Sequence, residues 1–375
     1  MKQPLFICFF ALLLSVTALF GSTKYLDNHS CSECHEKIYE EYQSSFHAKG
    51  YFNDSLHRKI ADKVSDRRYE CATCHMPMAD NLSDLISGKA RPNPINKTHT
   101  DAISCYFCHT IAYVRESHQF NINTQARQAT NYKPTLYGRL NKPDESDKHS
   151  SSSNPIYAQK VCMGCHSHKL NESNTTIFRA MDKGQDSLSC IKCHMPDVAG
   201  GAEKMDKRAR GRHISHKFLG IHDKAFRKTG VELNCSLSPA HLSVTLENKM
   251  SHPLIIQPAR VKFLKIVIER KGQPLWQNYQ AQPSEDTQGY FAYHFKQGEH
   301  QVIIPAEATS HRVNNLDANS RKTLEYTIPA LQKGDCVRVG LYVRLAKRDC
   351  AKVVELEKSQ LSDDLLIKEM VLTVD

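Results

Sequence analysis

Five short segments of this chain share one pattern, and any fold it adopts must accommodate all of them. Residues 31–35, 71–75, 105–109, 162–166 and 190–194 each read Cys-x-x-Cys-His. Two thiols at this spacing can form thioether bonds to the vinyl groups of a haem, and the histidine that follows can bind its iron. Structural zinc sites also use Cys-x-x-Cys pairs, but nothing about zinc demands histidine at the next position every time. Thioredoxin-like redox pairs do not recur five times in one chain. The motifs therefore call for five haems c. The attachment points are Cys31, Cys34, Cys71, Cys74, Cys105, Cys108, Cys162, Cys165, Cys190 and Cys193, and the proximal iron ligands are His35, His75, His109, His166 and His194.

Composition matters at two places. Of the 14 cysteines, all but Cys8, Cys235, Cys336 and Cys350 belong to the motifs. Cys8 lies in the leader. Cys336 and Cys350 share one β-rich stretch and are expected either to bridge in an oxidising compartment or to stay, with Cys235, as buried thiols. The formal charge of +10 looks basic enough for nucleic acid. It is discounted because haem propionates are natural partners for Lys and Arg. No basic patch interleaved with aromatics stands out, so nucleic acid is not an expected partner.

Residues 1–20 carry one Lys and then an apolar run from Leu5 to Phe20, broken only by Ser15 and Thr17. That is the length of a signal-peptide core and short for a membrane span. Residues 1–21 are expected to be a cleaved signal peptide delivering a periplasmic protein, the alternative being an N-terminal anchor in the inner membrane. Haem attachment of this type independently requires export.

Residues 22–235 hold all five motifs, about forty residues per haem, too few for an ordinary core around each. The expected fold is a multihaem cytochrome domain of short α-helices and loops wrapped around stacked haems, which supply apolar surface and make haem binding part of folding. Residues 36–49 read as a helix, with Ile38, Tyr42 and Phe46 on one face and Gly50 as a stop. Such a helix carries His47 about 18 Å from His35, too far for the other face of the same haem but suited to a neighbouring one. Residues 53–64 read as a second helix with His57 beside its apolar stripe. A loop leads to His99, and an irregular insertion over 119–156 holds His149, for which ligand delivery would be a use. A basic stretch follows, Lys204, Lys207, Arg208, Arg210, Arg212 and Lys217, either a solvated linker or a set of groups facing propionates or an acidic partner. His213, His216 and His222 cluster within and just beyond it.

From about Leu242 the pattern changes. Leu242, Val244 and Leu246 alternate with polar residues, as do Val337, Val339, Leu341, Val343 and Leu345, with further β-rich runs at 261–268, 302–304, 324–328 and 371–374. Residues 236–375 are expected to form an all-β, sandwich-like C-terminal domain, with a helix over 351–361 crossing one end.

Several stretches carry a family likeness: Ser45-Phe46-His47-Ala48, the run from Ile103 to Ile111, Cys74-His75-Met76-Pro77, Cys193-His194-Met195-Pro196, and the run from His216 to His222. The chain resembles multihaem c-type cytochromes of the cytochrome c-554 and hydroxylamine oxidoreductase superfamily, specifically the pentahaem members with an appended β-sandwich. The resemblance implies periplasmic electron transfer, with His47 and His99 as distal ligands to haems other than their own. Such proteins carry a Gly-His followed by a Pro-Thr-Gly turn where this chain reads Ser251-His252-Pro253-Leu254, and the missing turn argues against a ligand role for His252.

Two functions are weighed. In the first, electrons pass along five bis-histidine haems to and from redox partners such as a quinol dehydrogenase or a terminal reductase, with the C-terminal domain docking to a membrane-associated complex. In the second, one five-coordinate haem reduces or oxidises a small nitrogen or sulfur oxyanion. No Cys-x-x-Cys-Lys motif and no identifiable cross-linking tyrosine points to the second. Outside the motifs, residues 22–230 contain His29, His47, His57, His99, His118, His149, His168, His213, His216 and His222, enough to complete every iron. The expected distal set is His47, His99, His149, His216 and His222, with His213, His118 and His57 as replacements.

Overall fold

The computed structural model describes residues 25–64, 68–115, 120–124, 133–144, 146–181, 190–201 and 210–374. The leader, His118, Lys204, Lys207 and Arg208 lie outside the described residues.

In the first part of the chain the motifs form helices of one or two turns: Ala72–His75, Cys105–His109, Met163–His166 and Cys190–His194. Helices this short do not persist on their own, so caps and cross-links hold them. Asp27 accepts a hydrogen bond from the Ser30 N–H at the start of Asn28–Ser32, and Ser104 Oγ accepts one from the Phe107 N–H. Asn28 ties motifs together: its side chain donates to the Asp101 carbonyl and accepts from the Cys105 N–H.

The helix Glu36–Gln43 ends earlier than expected, where Ser44 and Ser45 follow and open a run of turns. That run leads to Gly50, whose φ of +48° and close approach to Ala102 suit a residue without a Cβ. The helix Ser55–Val64 lies where the second was expected. The described residues of the insertion over 119–156 include strands that its sequence does not suggest. Phe120–Asn123 pairs antiparallel with Ile111–Arg115, and Thr135–Gly138 pairs in parallel with Ser150–Ser153. Parallel pairing joins distant segments, and a run of serines carries no strand pattern to announce it.

The C-terminal part is β-rich, as expected, though its first strand, Val231–Ser238, begins before residue 236. A three-stranded sheet sets His241–Asn248 between Arg321–Thr327 and Val231–Ser238. In the seven-stranded sheet Val261–Arg270 pairs with Cys336–Arg344, which pairs with Leu365–Thr373. All these neighbours are antiparallel. Leu242, Val244 and Leu246 from one sheet and Val337, Val339, Leu341 and Val343 from the other enter one core, where the period-two pattern sends them.

One expectation fails here, and of the two alternatives for Cys336 and Cys350 the unbridged one stands. The helix is Arg348–Val353, not 351–361, because Glu355 takes φ +55° and ends it. Cys336 and Cys350 are both free thiols. Cys336 opens the strand Cys336–Arg344 and Cys350 lies beyond its far end, and a strand of that length spans about 27 Å.

The two parts share buried surface. Leu56 packs with Ala259, Ala346, Cys350, Ala351 and Val354, and the Asn171 amide donates to the carbonyls of Pro305, Ala306 and Ala308. Among the described residues no helix is long and apolar enough to cross a membrane.

Leu246→Ala should open a cavity between the sheets and cost about 3 kcal/mol. Chemical denaturation should show a lower midpoint at unchanged slope, with the haem absorption spectrum unaltered.

Candidate haem centres

Each of the five motif histidines faces a second imidazole. Ring centroids lie 6.3 Å apart for His35 and His149, 5.9 Å for His166 and His47, 6.2 Å for His109 and His216, and 6.4 Å for His194 and His252. His75 and His57 stand closer, at 4.7 Å with the rings tilted by 35°. A metal–nitrogen bond of about 2.0 Å on each side, plus the ring radii, spaces two imidazole centroids by about 6.3 Å. Four pairs therefore fit an iron between them as they stand. The fifth fits after its rings part by about 1.5 Å on the same reckoning.

The second nitrogen of each ring strengthens the fit. A histidine that binds metal through Nε2 normally gives its Nδ1–H to an acceptor, which fixes tautomer and orientation. Here His109 Nδ1 donates to the Tyr137 carbonyl at 2.7 Å and His194 Nδ1 to that of Leu219 at 2.5 Å. His216 uses the Ile214 carbonyl at 2.9 Å and His252 that of Pro253 at 2.9 Å, while His149 Nδ1 lies 3.2 Å from the Ser151 hydroxyl and 3.4 Å from the Ser150 carbonyl. His57 instead uses the Asp54 carboxylate at 2.6 Å. His47 Nδ1 is buried with no hydrogen-bond partner among the described residues.

Burial keeps these rings neutral, the form that ligates. It pushes His47 and His75 down to about 3 and His166, His216 and His252 down to about 4, with neighbouring histidines adding to it. Burial pushes the Asp54 carboxyl up, but the hydrogen bonds and charge of His57 outweigh it and hold it at about 2.

The sulfurs are also brought together. The sulfurs of Cys31 and Cys105, of Cys74 and Cys165, and of Cys162 and Cys190 lie close enough across motifs to shift one another's protonation.

Two members of the expected distal set stand away from the motif histidines. His99 does not face a motif histidine: its Nδ1 accepts from the Asn93 N–H at 3.0 Å and its Nε2 meets Asn81 Oδ1 at 2.8 Å, so both nitrogens are engaged. His222 stacks flat on Phe46 with centroids 3.5 Å apart. Their places opposite His75 and His194 are taken by His57 and His252. The replacement His213 is engaged on both sides, by the Gly200 carbonyl and by Glu41 Oε1 at 3.1 Å. The Asp54-x-x-His57 spacing at a helix start was the available signal for His57. For His252, Pro253 supplies the carbonyl that its Nδ1 meets, although the Gly and the Pro-Thr-Gly turn are missing.

Glu41 has a structural part in this. Nearly buried on Glu36–Gln43, it takes His213 with one oxygen and the backbone N–H of His216 with the other, at 2.8 Å. It therefore sets the path of the chain that carries His216 to His109.

The class these features define is a multihaem cytochrome fold followed by a β-rich region, with haem c as the group the motifs hold. Residues 30–110 match the family described as cytochrome c554 and c-prime. The crystal structure of a penta-heme cytochrome c552 from Thermochromatium tepidum is similar over 94% of this chain and 100% of that one, with a TM-score of 0.76 at 21% identity, a likeness of fold. The E. coli curli protein CsgC aligns over 30% of this chain and 82% of that one at 9% identity, and its TM-score of 0.16 carries no argument. No curated protein matches the chain.

Glu41→Ala leaves buried donors at His213 and His216 without an acceptor and should cost about 2–3 kcal/mol. Glu41→Gln, which keeps an acceptor, should be the milder in the same denaturant titration.

Proposed function

We propose that this protein is a periplasmic electron carrier holding five haems c, each between two histidines. The assignment pairs His35 with His149, His75 with His57, His109 with His216, His166 with His47 and His194 with His252. The observation that carries it is the opposition of these imidazoles, with the outer nitrogen of most of them hydrogen-bonded away from the partner ring. Haem c, when bound, supplies reversible one-electron exchange.

The chain's own residues do the rest. A second histidine on each centre fills the position that water or an oxyanion would need, which favours transfer over catalysis. Burial holds the rings neutral and excludes solvent. The β-rich part contributes His252 and also positive charge: Lys262 is buried, with Nζ 2.5 Å from the Leu254 carbonyl, and burial followed by the nearby Arg260 pushes its pKa down to about 7. Arg260, with Lys262 beside it, offers donors that suit the propionates of a haem. The leader-like residues 1–21 and the export that haem attachment demands support the compartment. Redox proteins such as a quinol dehydrogenase or a terminal reductase are the partners such a carrier would serve.

Intact-mass analysis should find five haem additions on a chain lacking its leader. The oxidised protein should give only low-spin signals in electron paramagnetic resonance, and the reduced protein should not bind carbon monoxide. His252→Ala should convert one haem of the five to a high-spin, carbon monoxide-binding form. A stoichiometric high-spin signal in the unaltered protein would move the reading to an oxyanion oxidoreductase.

A further inference from the structure

The outer nitrogens of the distal histidines are not treated alike. Those of His216 and His252 face backbone carbonyls, and that of His149 lies 3.2 Å from the Ser151 hydroxyl and 3.4 Å from the Ser150 carbonyl, so all three meet neutral groups. That of His47 has no hydrogen-bond partner among the described residues. His57 alone among the five faces a carboxylate, Asp54 Oδ2, at 2.6 Å. Asp54 precedes the helix Ser55–Val64, and its other oxygen accepts the His57 backbone N–H at 3.2 Å. One side chain thus fixes both the backbone and the ring of this histidine, and it is a short link that leaves the carboxylate little freedom to turn away.

An imidazole that gives its N–H to a carboxylate acquires imidazolate character and becomes a stronger donor to iron, and stronger donation stabilises the ferric state. We propose that Asp54 is a positioning residue that, through His57, makes the haem on Cys71 and Cys74 the lowest-potential centre of the five. The centre opposite His47, whose ring has no such acceptor, then stands at the other end of the ligand series. The gradient is built into the distal ligands' acceptors, independent of what partner delivers the electrons. The proposal rests on the bis-histidine reading of the His75 centre.

The test uses the full-length, haem-loaded protein. His57→Ala first identifies this haem, because its low-spin resonance should be replaced by a high-spin one. Asp54→Asn retains an oxygen for the helix start but removes the charge. In a spectroelectrochemical titration Asp54→Asn should raise one midpoint potential, leave the other four in place, and shift the g-values of that same low-spin haem. The g-values matter because they report the ligand field, which a distant charge does not alter. Asp54→Ser should act in the same direction. Unchanged potential and g-values with His57 still bound would overturn the inference while leaving the bis-histidine reading intact. A new high-spin signal in Asp54→Asn, or loss of haem from both variants, would also overturn it, making Asp54 a mere support. If His57→Ala produces no high-spin haem, it is the bis-histidine reading of this centre that fails.

Discussion

The constraint on which the rest of the structure depends is that two imidazoles must face each other across a gap that the chain itself does not fill. A histidine can meet that demand only if its ring is buried, neutral and turned the right way, and each condition needs support from elsewhere. Burial supplies neutrality for His47, His75, His166, His216 and His252. Hydrogen bonds from Nδ1 to carbonyls or a carboxylate supply orientation. The short helices and two-stranded ribbons around the motifs make sense as the scaffolding for these rings. They are too small to be stable units of their own.

Distance along the chain shows how the centres depend on one another. Only His57 and His75 come from neighbouring segments. His47 meets His166, His149 meets His35, and His252 reaches back from the β-rich part to His194. Each pair closes a long loop, and loop closure is unfavourable until something rewards it. A group bound at both ends of the loop provides that reward, so binding and folding are coupled.

The β-rich part is a working portion of this arrangement. Its own core lies between the two sheets. It also carries His252 to the motif histidine His194, and Leu56 and Ile60 enter a cluster made otherwise from its residues. The interface therefore fixes one of the facing histidines. This gives a physical reason for the two parts to be one chain: a ligand delivered by a separate protein would have to be bound again each time.

The sequence by itself determined the five Cys-x-x-Cys-His motifs, the change from helical to alternating pattern near Leu242, and the inward faces of the long strands. These are local properties, readable from spacing and periodicity. It also pointed to His47 by a length argument and to His149 by its place in an otherwise unexplained insertion. Tertiary structure decided which histidine faces which. His99 and His222 stand in suggestive places in the chain, yet one is bonded on both ring nitrogens and the other is stacked on Phe46. His252 lies beyond the last motif, in a turn whose sequence departs from the expected one, yet it faces His194 because the strands bring it there. Whether a histidine can face an iron depends on where its ring points and what its second nitrogen touches. Both are settled by residues far away in the chain, and no local pattern encodes them.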